Sequence, residues 1–215
     1  RDVQQALGDT TTSNAVALTK VYGDLTAVSE SALLKSTTAL QAMKNDVYAS
    51  NSLKNDVIVN EPFLVTSSIT AYNNAVSALV SMNQATALMR DTSVPSSLDI
   101  ASATLSTDAK KIRLALQYTS DILQAATVAG SMTQTTLDAR RTNIKTVWAD
   151  LNNAISSLDS AKNVITTTGA ANQAALSAAQ TKINSATQAL AIAQSSLQNA
   201  QAALALKKSP ATRSA

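Results

Sequence analysis

Cysteine and histidine are both absent from this sequence of 215 residues. Zinc and most transition metals are held by thiolate or imidazole ligands, so sites of that kind are excluded. The Ser-His and Cys-His pairs that activate a catalytic nucleophile are excluded because they need one of the two missing residues. The lack of cysteine fits an envelope or extracellular protein that avoids stray disulfides.

Glycine and proline are scarce, with four and three residues respectively. Because both residues mark turns, their scarcity predicts few turns and long elements, and it argues against β-rich folds. Aromatic residues make up only 3% of the chain, and alanine supplies much of the 45% that is apolar. Such a composition builds thin seams between helices more readily than a broad globular core. The sequence therefore predicts an all-α fold.

The charged residues are few and scattered. Seventeen basic and 14 acidic residues give a formal net charge of +3. Neither a basic stripe nor an aromatic stacking platform is visible, so we expect no nucleic-acid partner. No apolar run approaches the roughly 18 residues that a membrane span needs. The carboxylates are spread out and no Gly-rich phosphate loop is present, so we expect no metal, no cofactor and no enzymatic activity.

Three helices are predicted in the first part of the chain, because apolar residues recur there at helical spacing. They run from about Ser13 to Ala49, from about Ser67 to Arg90 and from about Leu98 to Val128. Gly130 is predicted to stop the third helix. The 3-4 pattern of the second helix consists of Ile69, Tyr72, Val76, Leu79, Val80 and Met82 or Asn83. We assign residues 1–134 to a helical bundle region.

The remaining residues, 135–215, predict one very long helix that ends in a turn. The helix opens at Thr135, and Asp138 follows three residues later in a capping-box pattern. Up to Leu206 it contains no proline, and its one glycine is Gly169. At about 1.5 Å per residue such a helix is roughly 110 Å long, which is typical of a coiled coil and not of a globular domain.

A heptad stripe runs along the second half of this helix. Leucine or isoleucine recurs every seven residues, and alanine lies three residues after each of the first four: Leu176, Ala179, Ile183, Ala186, Leu190, Ala193, Leu197, Ala200 and Leu204. This is the pattern of a coiled-coil seam. The alanines let two backbones approach closely, so the predicted partner is a tightly packed antiparallel helix. Lys182 is the one charged residue between Ala170 and Leu206, so salt bridges do not select that partner.

A second heptad register precedes this seam and consists of Leu137, Ile144, Leu151, Leu158 and Ile165. The two registers are joined by an 11-residue step from Ile165 to Leu176. Such a step is a stutter, which unwinds a supercoil locally. Gly169 lies inside it, so we expect a slight bend or a helix break there.

The end of the sequence resembles a known family. Residues 190–213 read LAIAQSSLQNAQAALALKKSPATR. This is similar to the helical hairpin of the HlyD-like membrane fusion proteins, the periplasmic adaptors of efflux pumps and secretion systems. Their outgoing helix commonly ends in Ala-x-Leu-x-Leu-Lys, followed by a short Pro- or Gly-containing turn with an Arg. The matching residues here are Leu204, Leu206, Lys207, Pro210 and Arg213. Residues 137–159 also resemble the helix leading into the hairpin in adaptors with a helical insertion.

The resemblance implies that the long helix is the first arm of an α-hairpin. Its partner would be the returning antiparallel helix of the same protein, which this chain lacks, as it lacks the family's flanking β-rich domains. The implied function is that of a structural spacer without catalysis, which joins a transporter to an outer envelope component as a homo-oligomer. The implied location is the cell envelope, periplasmic or extracytoplasmic, with a membrane anchor in the full-length protein. Residues of the tip that would contact a partner are Lys207, Lys208, Pro210 and Arg213.

Other interpretations stay open. A composition rich in Ala, Ser, Thr, Asn and Gln is similar to that of flagellin and suits a filament-forming or surface protein. An extracytoplasmic sensory four-helix bundle is the third reading, and a pocket with convergent polar groups would favour it. Lys207 and Lys208 also suit the negative end of a helix dipole. Arg140, Arg141 and the pair Lys110-Lys111 are interpreted as solvated side chains, and Trp148 as a packing residue.

Overall fold

The computed structural model describes residues 2–48, 57–130 and 132–208. In these ranges the chain forms four α-helices, and the prediction of an all-α fold with one very long C-terminal helix is confirmed. Two-residue strands and a short π-helical turn, Lys44–Tyr48, accompany the helices. The elements are α1 (Asp2–Met43), β1 (Val57–Ile58), α2 (Pro62–Asp91), α3 (Pro95–Ala125), β2 (Thr127–Val128) and α4 (Gln134–Lys208).

Helix α1 begins well before the predicted start at Ser13. Its first turns are polar, but the hydroxyls of Thr10, Thr11 and Thr12 donate hydrogen bonds to carbonyls four residues earlier in the helix. The threonine hydroxyls thereby find hydrogen-bond acceptors within the helix and do not break it. Local polarity was therefore a poor guide to this boundary.

Prolines open the next two helices. Pro62 and Pro95 occupy the first turn of α2 and α3, where the missing N–H costs no hydrogen bond. Helix α3 ends earlier than the predicted Val128, because Thr127 and Val128 pair antiparallel with β1. Gly130 follows in the α3–α4 connection with a φ of 60°. It shapes that connection and does not stop α3.

The chain divides into two compact units. One comprises Thr19–Thr166, and the other comprises the described parts of residues 1–18 and 167–215. This division cuts through α1 and α4, whereas the sequence division at residue 134 follows the order of the elements.

The unit 19–166 is a four-helix bundle in which successive helices run in opposite directions. Ion pairs mark three of its interfaces: Arg90 to Glu30 (α2–α1, 2.7 Å), Lys110 to Asp159 (α3–α4, 3.1 Å) and Lys35 to Asp150 (α1–α4, 2.7 Å). Helices α2 and α3 pack along each other and are joined by a short connection at residues 92–94. All five residues of the upstream heptad register of α4 are buried in this unit.

Helix α2 buries its small residues and exposes several large ones. Facing the core are Ser68, Ala71, Ala75, Ala78, Met82, Ala85, Thr86 and Met89. In contrast, Ile69, Val76 and Val80 of the predicted 3-4 pattern are exposed. Small side chains at the interface let α2 approach its neighbours closely, and this close packing decides which face of the helix turns inward.

In the other unit, the start of α1 lies along the middle of α4. Asn14 Nδ2 donates to the carbonyl of Asn172, and Asn172 Nδ2 donates to the carbonyl of Asn14, both at 3.1 Å. Val3 is the first partly buried residue of α1, and Ile183 is the last of α4. Each lies 11 residues from its own asparagine, so the two segments are antiparallel. Helix α4 continues through Gly169 without the break that the stutter suggested.

Candidate functional site

The nine residues of the predicted seam fall into two groups in the structure. Leu176, Ala179 and Ile183 are partly buried in the pairing with the start of α1. The remaining six, which we call the exposed stripe, are all exposed: Ala186, Leu190, Ala193, Leu197, Ala200 and Leu204. The sequence analysis did not foresee that α1 covers the first group.

The reciprocal asparagine pair sets the register of the covered part. Asn172 lies four residues before Leu176, on the same side of α4. Each amide is satisfied by the backbone carbonyl of the other residue, and a one-residue slip would break both hydrogen bonds. A polar pair of this kind costs some stability but specifies how two helices align.

The leucines of the exposed stripe are large apolar side chains in contact with solvent. Leu190, Leu197 and Leu204 are 58%, 58% and 53% exposed. Full burial of one leucine side chain contributes about 1.5–3 kcal/mol, so a helix laid along the stripe would gain several kcal/mol. The segment 184–208 is exposed throughout, and its charged residues, Lys207 and Lys208, lie in the last helical turn.

The opposite side of this segment is mixed in character. Ser195 lies about 140° around the helix axis from Leu190, at about 100° per residue, and therefore faces away from the exposed stripe. Ile192 and Leu206 are also exposed, at about 200° from Leu190 and Leu204 respectively. The stripe is distinguished from these scattered residues by its regular repeat and by its alanines.

The predicted tip is described only in part. Lys207 and Lys208 are exposed and end α4, where their charges complement the negative end of the helix dipole. Pro210 and Arg213 lie outside the described residues. A role of these four residues in partner contact therefore stays a prediction.

Three carboxylates of the bundle, Glu30, Asp150 and Asp159, form ion pairs with a neighbouring helix. Asp159 of α4 accepts a hydrogen bond of 2.8 Å from Ser106 Oγ and lies 3.1 Å from Lys110 Nζ, both on α3. Partial burial raises the pKa of Asp159, but the Ser106 hydrogen bond and the charges of Lys110 and Lys162 outweigh it, so the pKa lies below its ordinary value. Within the described part of the chain, no three acidic, histidine or cysteine side chains are grouped as metal ligands.

Two arginines that we interpreted as solvated bind backbone carbonyls instead. Arg141 donates from Nε to the carbonyl of Leu123 at 2.8 Å and from Nη2 to that of Ala126 at 3.2 Å. Arg140 donates to the carbonyl of Asp46 at 2.8 Å, at the π-helical turn that follows α1. Both cations thus satisfy carbonyls at helix C-termini, which a helix leaves without internal partners. The interpretation of the two arginines as solvated was wrong, because their carbonyl partners are 15 or more residues away in sequence and no local pattern indicates such contacts.

The π-helical turn brings an aromatic pair to this end of the bundle. The rings of Tyr48 and Tyr72 stack with centroids 4.3 Å apart. The Tyr48 hydroxyl is hydrogen-bonded to the hydroxyls of Ser68 and Thr119. Burial raises the pKa of Tyr48 above its ordinary value despite these hydrogen bonds. The cluster ties the end of α1 to α2 and α3, and no local sequence pattern indicated it.

No helix in the described ranges combines the length and the apolar character needed to cross a lipid bilayer. Comparison of the chain with family models, curated proteins and solved structures gives no significant match.

Proposed function

We propose that this chain is a helical spacer: the bundle-bearing first arm of an α-hairpin in an adaptor of the HlyD-like type. The adaptor joins a transporter to an outer component across a cell envelope. It has no catalytic role, and its parts are a braced helix base, a stiff helix pair and a tip that meets a partner.

The observation that carries this proposal is the exposed stripe. Its leucines and alanines continue the same heptad register that α1 covers as far as Ile183. The covered part supports the proposal, because α1 lies there as an antiparallel helix aligned by the pair Asn14–Asn172. A second helix of that kind along the exposed stripe would give the two-helix rod on which a spacer depends.

We infer which segment forms the second helix from the resemblance of residues 190–213 to the family. In that family a returning Ala/Gln-rich helix of the same protein follows the tip. The absence of charged residues between 184 and 206 fits such a partner, because this helix then offers no charge for complementary salt bridges.

Single cysteines introduced into the full-length protein in its own cells test this proposal. Residues 1–215 contain no cysteine, and any cysteine elsewhere in the protein is first replaced by serine. Leu197→Cys places the thiol in the exposed stripe, and Ser195→Cys places it on the opposite side. We expect a membrane-impermeant maleimide to label Ser195→Cys in intact cells, or after the outer membrane is opened. Leu197→Cys should react at least about tenfold more slowly until the protein is denatured.

Three results would contradict the proposal. Equal labelling of the two thiols in the assembled protein would show that no helix covers the stripe. Labelling only after the inner membrane is broken would place the segment in the cytoplasm. Protection of Leu197→Cys that appears only with concentration-dependent polymerisation would favour the filament interpretation instead.

A further inference from the structure

Helices α2 and α3 of the bundle leave a groove between them that the spacer function does not use. Its volume is about 740 Å³. Small side chains of α2, among them Thr70, Ser77 and Ala78, form one wall, and α3 contributes Asp108, Lys111 and Tyr118. Binding sites for small molecules typically have volumes of about 300–1,000 Å³, so the groove has the size of such a site.

The α3 wall carries a buried carboxylate. Asp108 is only 3% exposed, and its Oδ1 lies 2.7 Å from Nζ of Lys111, whose side chain is half exposed. An ion pair of this spacing on a helix surface contributes about 0.2–0.5 kcal/mol and does not need burial of either partner. Burying the carboxylate adds a desolvation cost that helix stability does not explain.

The α2 wall presents oxygen atoms that are free to accept hydrogen bonds. The hydroxyls of Thr66, Thr70 and Ser77 donate their hydrogens to backbone carbonyls four residues earlier. Their oxygens keep lone pairs. Facing them, Asp108 adds a negative charge, so the groove suits a donor-rich cationic group such as a primary ammonium.

Lys111 completes the site for a ligand with both charges. A cation that takes Asp108 from Lys111 leaves the lysine ammonium without its counterion. A ligand that also carries a carboxylate gives each member of the ion pair a new partner. Its ammonium pairs with Asp108, its carboxylate pairs with Lys111, and the groove stays neutral. We therefore propose that the α2–α3 groove binds a small zwitterion of the amino-acid type, either a free amino acid or a short peptide, through Asp108 and Lys111.

Calorimetric titration of the full chain with L-alanyl-L-alanine and L-glutamine tests this site. We expect binding with a dissociation constant of ~1 mM or lower. N-acetyl-L-alanyl-L-alanine lacks the ammonium and L-alanyl-L-alanine amide lacks the carboxylate. Each should bind at least about tenfold more weakly than the free dipeptide, because each leaves one charge of the groove unpaired.

Two variants locate the site. Asp108→Asn should weaken binding at least about tenfold, whereas Asp121→Asn, the same substitution elsewhere on α3, should leave it unchanged. Ser77→Leu alters an exposed residue of the α2 wall and fills the groove, so it should also weaken binding. This second variant tests the site if Asp108→Asn impairs folding. Failure of both zwitterions to bind at about 10 mM, or unchanged affinity in a folded Asp108→Asn or Ser77→Leu chain, would overturn the proposal. The titration needs no envelope assembly, so its failure leaves the spacer proposal standing.

Discussion

At the scale of single residues, polar side chains connect the helices of the bundle at defined positions. Asp159 accepts a hydrogen bond from a hydroxyl of α3 and forms an ion pair with an ammonium group of the same helix. Arg141 donates hydrogen bonds to carbonyls at the end of α3. These contacts are individually modest, because ion pairs with exposed partners contribute about 0–1 kcal/mol. Their contribution is to alignment, since each hydrogen bond or ion pair forms only when its two residues lie opposite each other.

The depressed pKa of Asp159 makes one of these contacts sensitive to acid. A carboxyl group with a lower pKa in the folded chain stabilises the fold at pH values above its unfolded pKa of about 3.9, and this contribution is lost as the pH falls through the folded pKa. We expect Asp159→Asn to lower the free energy of unfolding by about 0.5–1 kcal/mol at pH 7, and this effect should shrink as the pH falls through the folded pKa of Asp159. Urea titrations followed by the fluorescence of Trp148, the one tryptophan, measure the difference.

A double-mutant cycle provides the control for this prediction. Ser106→Ala and Asp159→Asn should be coupled at neutral pH, and the coupling should shrink in acid as the carboxylate takes up its proton. A coupling energy that is the same at both pH values would show that the Asp159 charge contributes nothing.

At the scale of elements, the sequence predicts the existence of the helices well and their inner faces less well. The four helices, and the length of α4 above all, follow from scarce glycine and proline and from helical spacing of apolar residues. Helix α2 shows the limit, because it buries Ala75 and Ala78 and exposes Val76 and Val80. Hydrophobicity indicates which side chains prefer burial, but the fit between neighbouring helices decides which side chains lie in the interface.

Two glycines with different backbone conformations should respond oppositely to the same substitution. Gly23 lies in α1 with open space where a Cβ would be. Gly23→Ala should therefore raise the free energy of unfolding by about 0.5–1 kcal/mol. Gly130 has a φ of 60°, so Gly130→Ala should lower it by about 1–2 kcal/mol. Urea midpoints that move in the same direction for both variants would be inconsistent with these backbone assignments.

At the scale of the whole molecule, the position of the seam could be predicted from the sequence, but its division into a part covered by α1 and an exposed stripe could not. The heptad repeat from Leu176 to Leu204 is a local pattern and can be read from the sequence. The cover that α1 gives to its first part depends on Asn14 meeting Asn172, 158 residues away. Patterns within one helix state that a partner is needed but do not state which segment supplies it. The α2–α3 groove was missed for a related reason, since its two walls become neighbours only after folding.

The central claim is that a second helix lies along the exposed stripe when the protein is assembled, and hydrogen exchange of the backbone amides of residues 187–208 tests it most directly. A helical segment without a packed neighbour is marginal in water, so these amides should exchange rapidly in this chain alone. In the protein assembled in its envelope they should exchange at least about 100-fold more slowly. Leu190→Asp should remove that protection and Ser195→Asp should not. Equal exchange rates in the chain alone and in the assembly, or equal protection in both variants, would contradict the account.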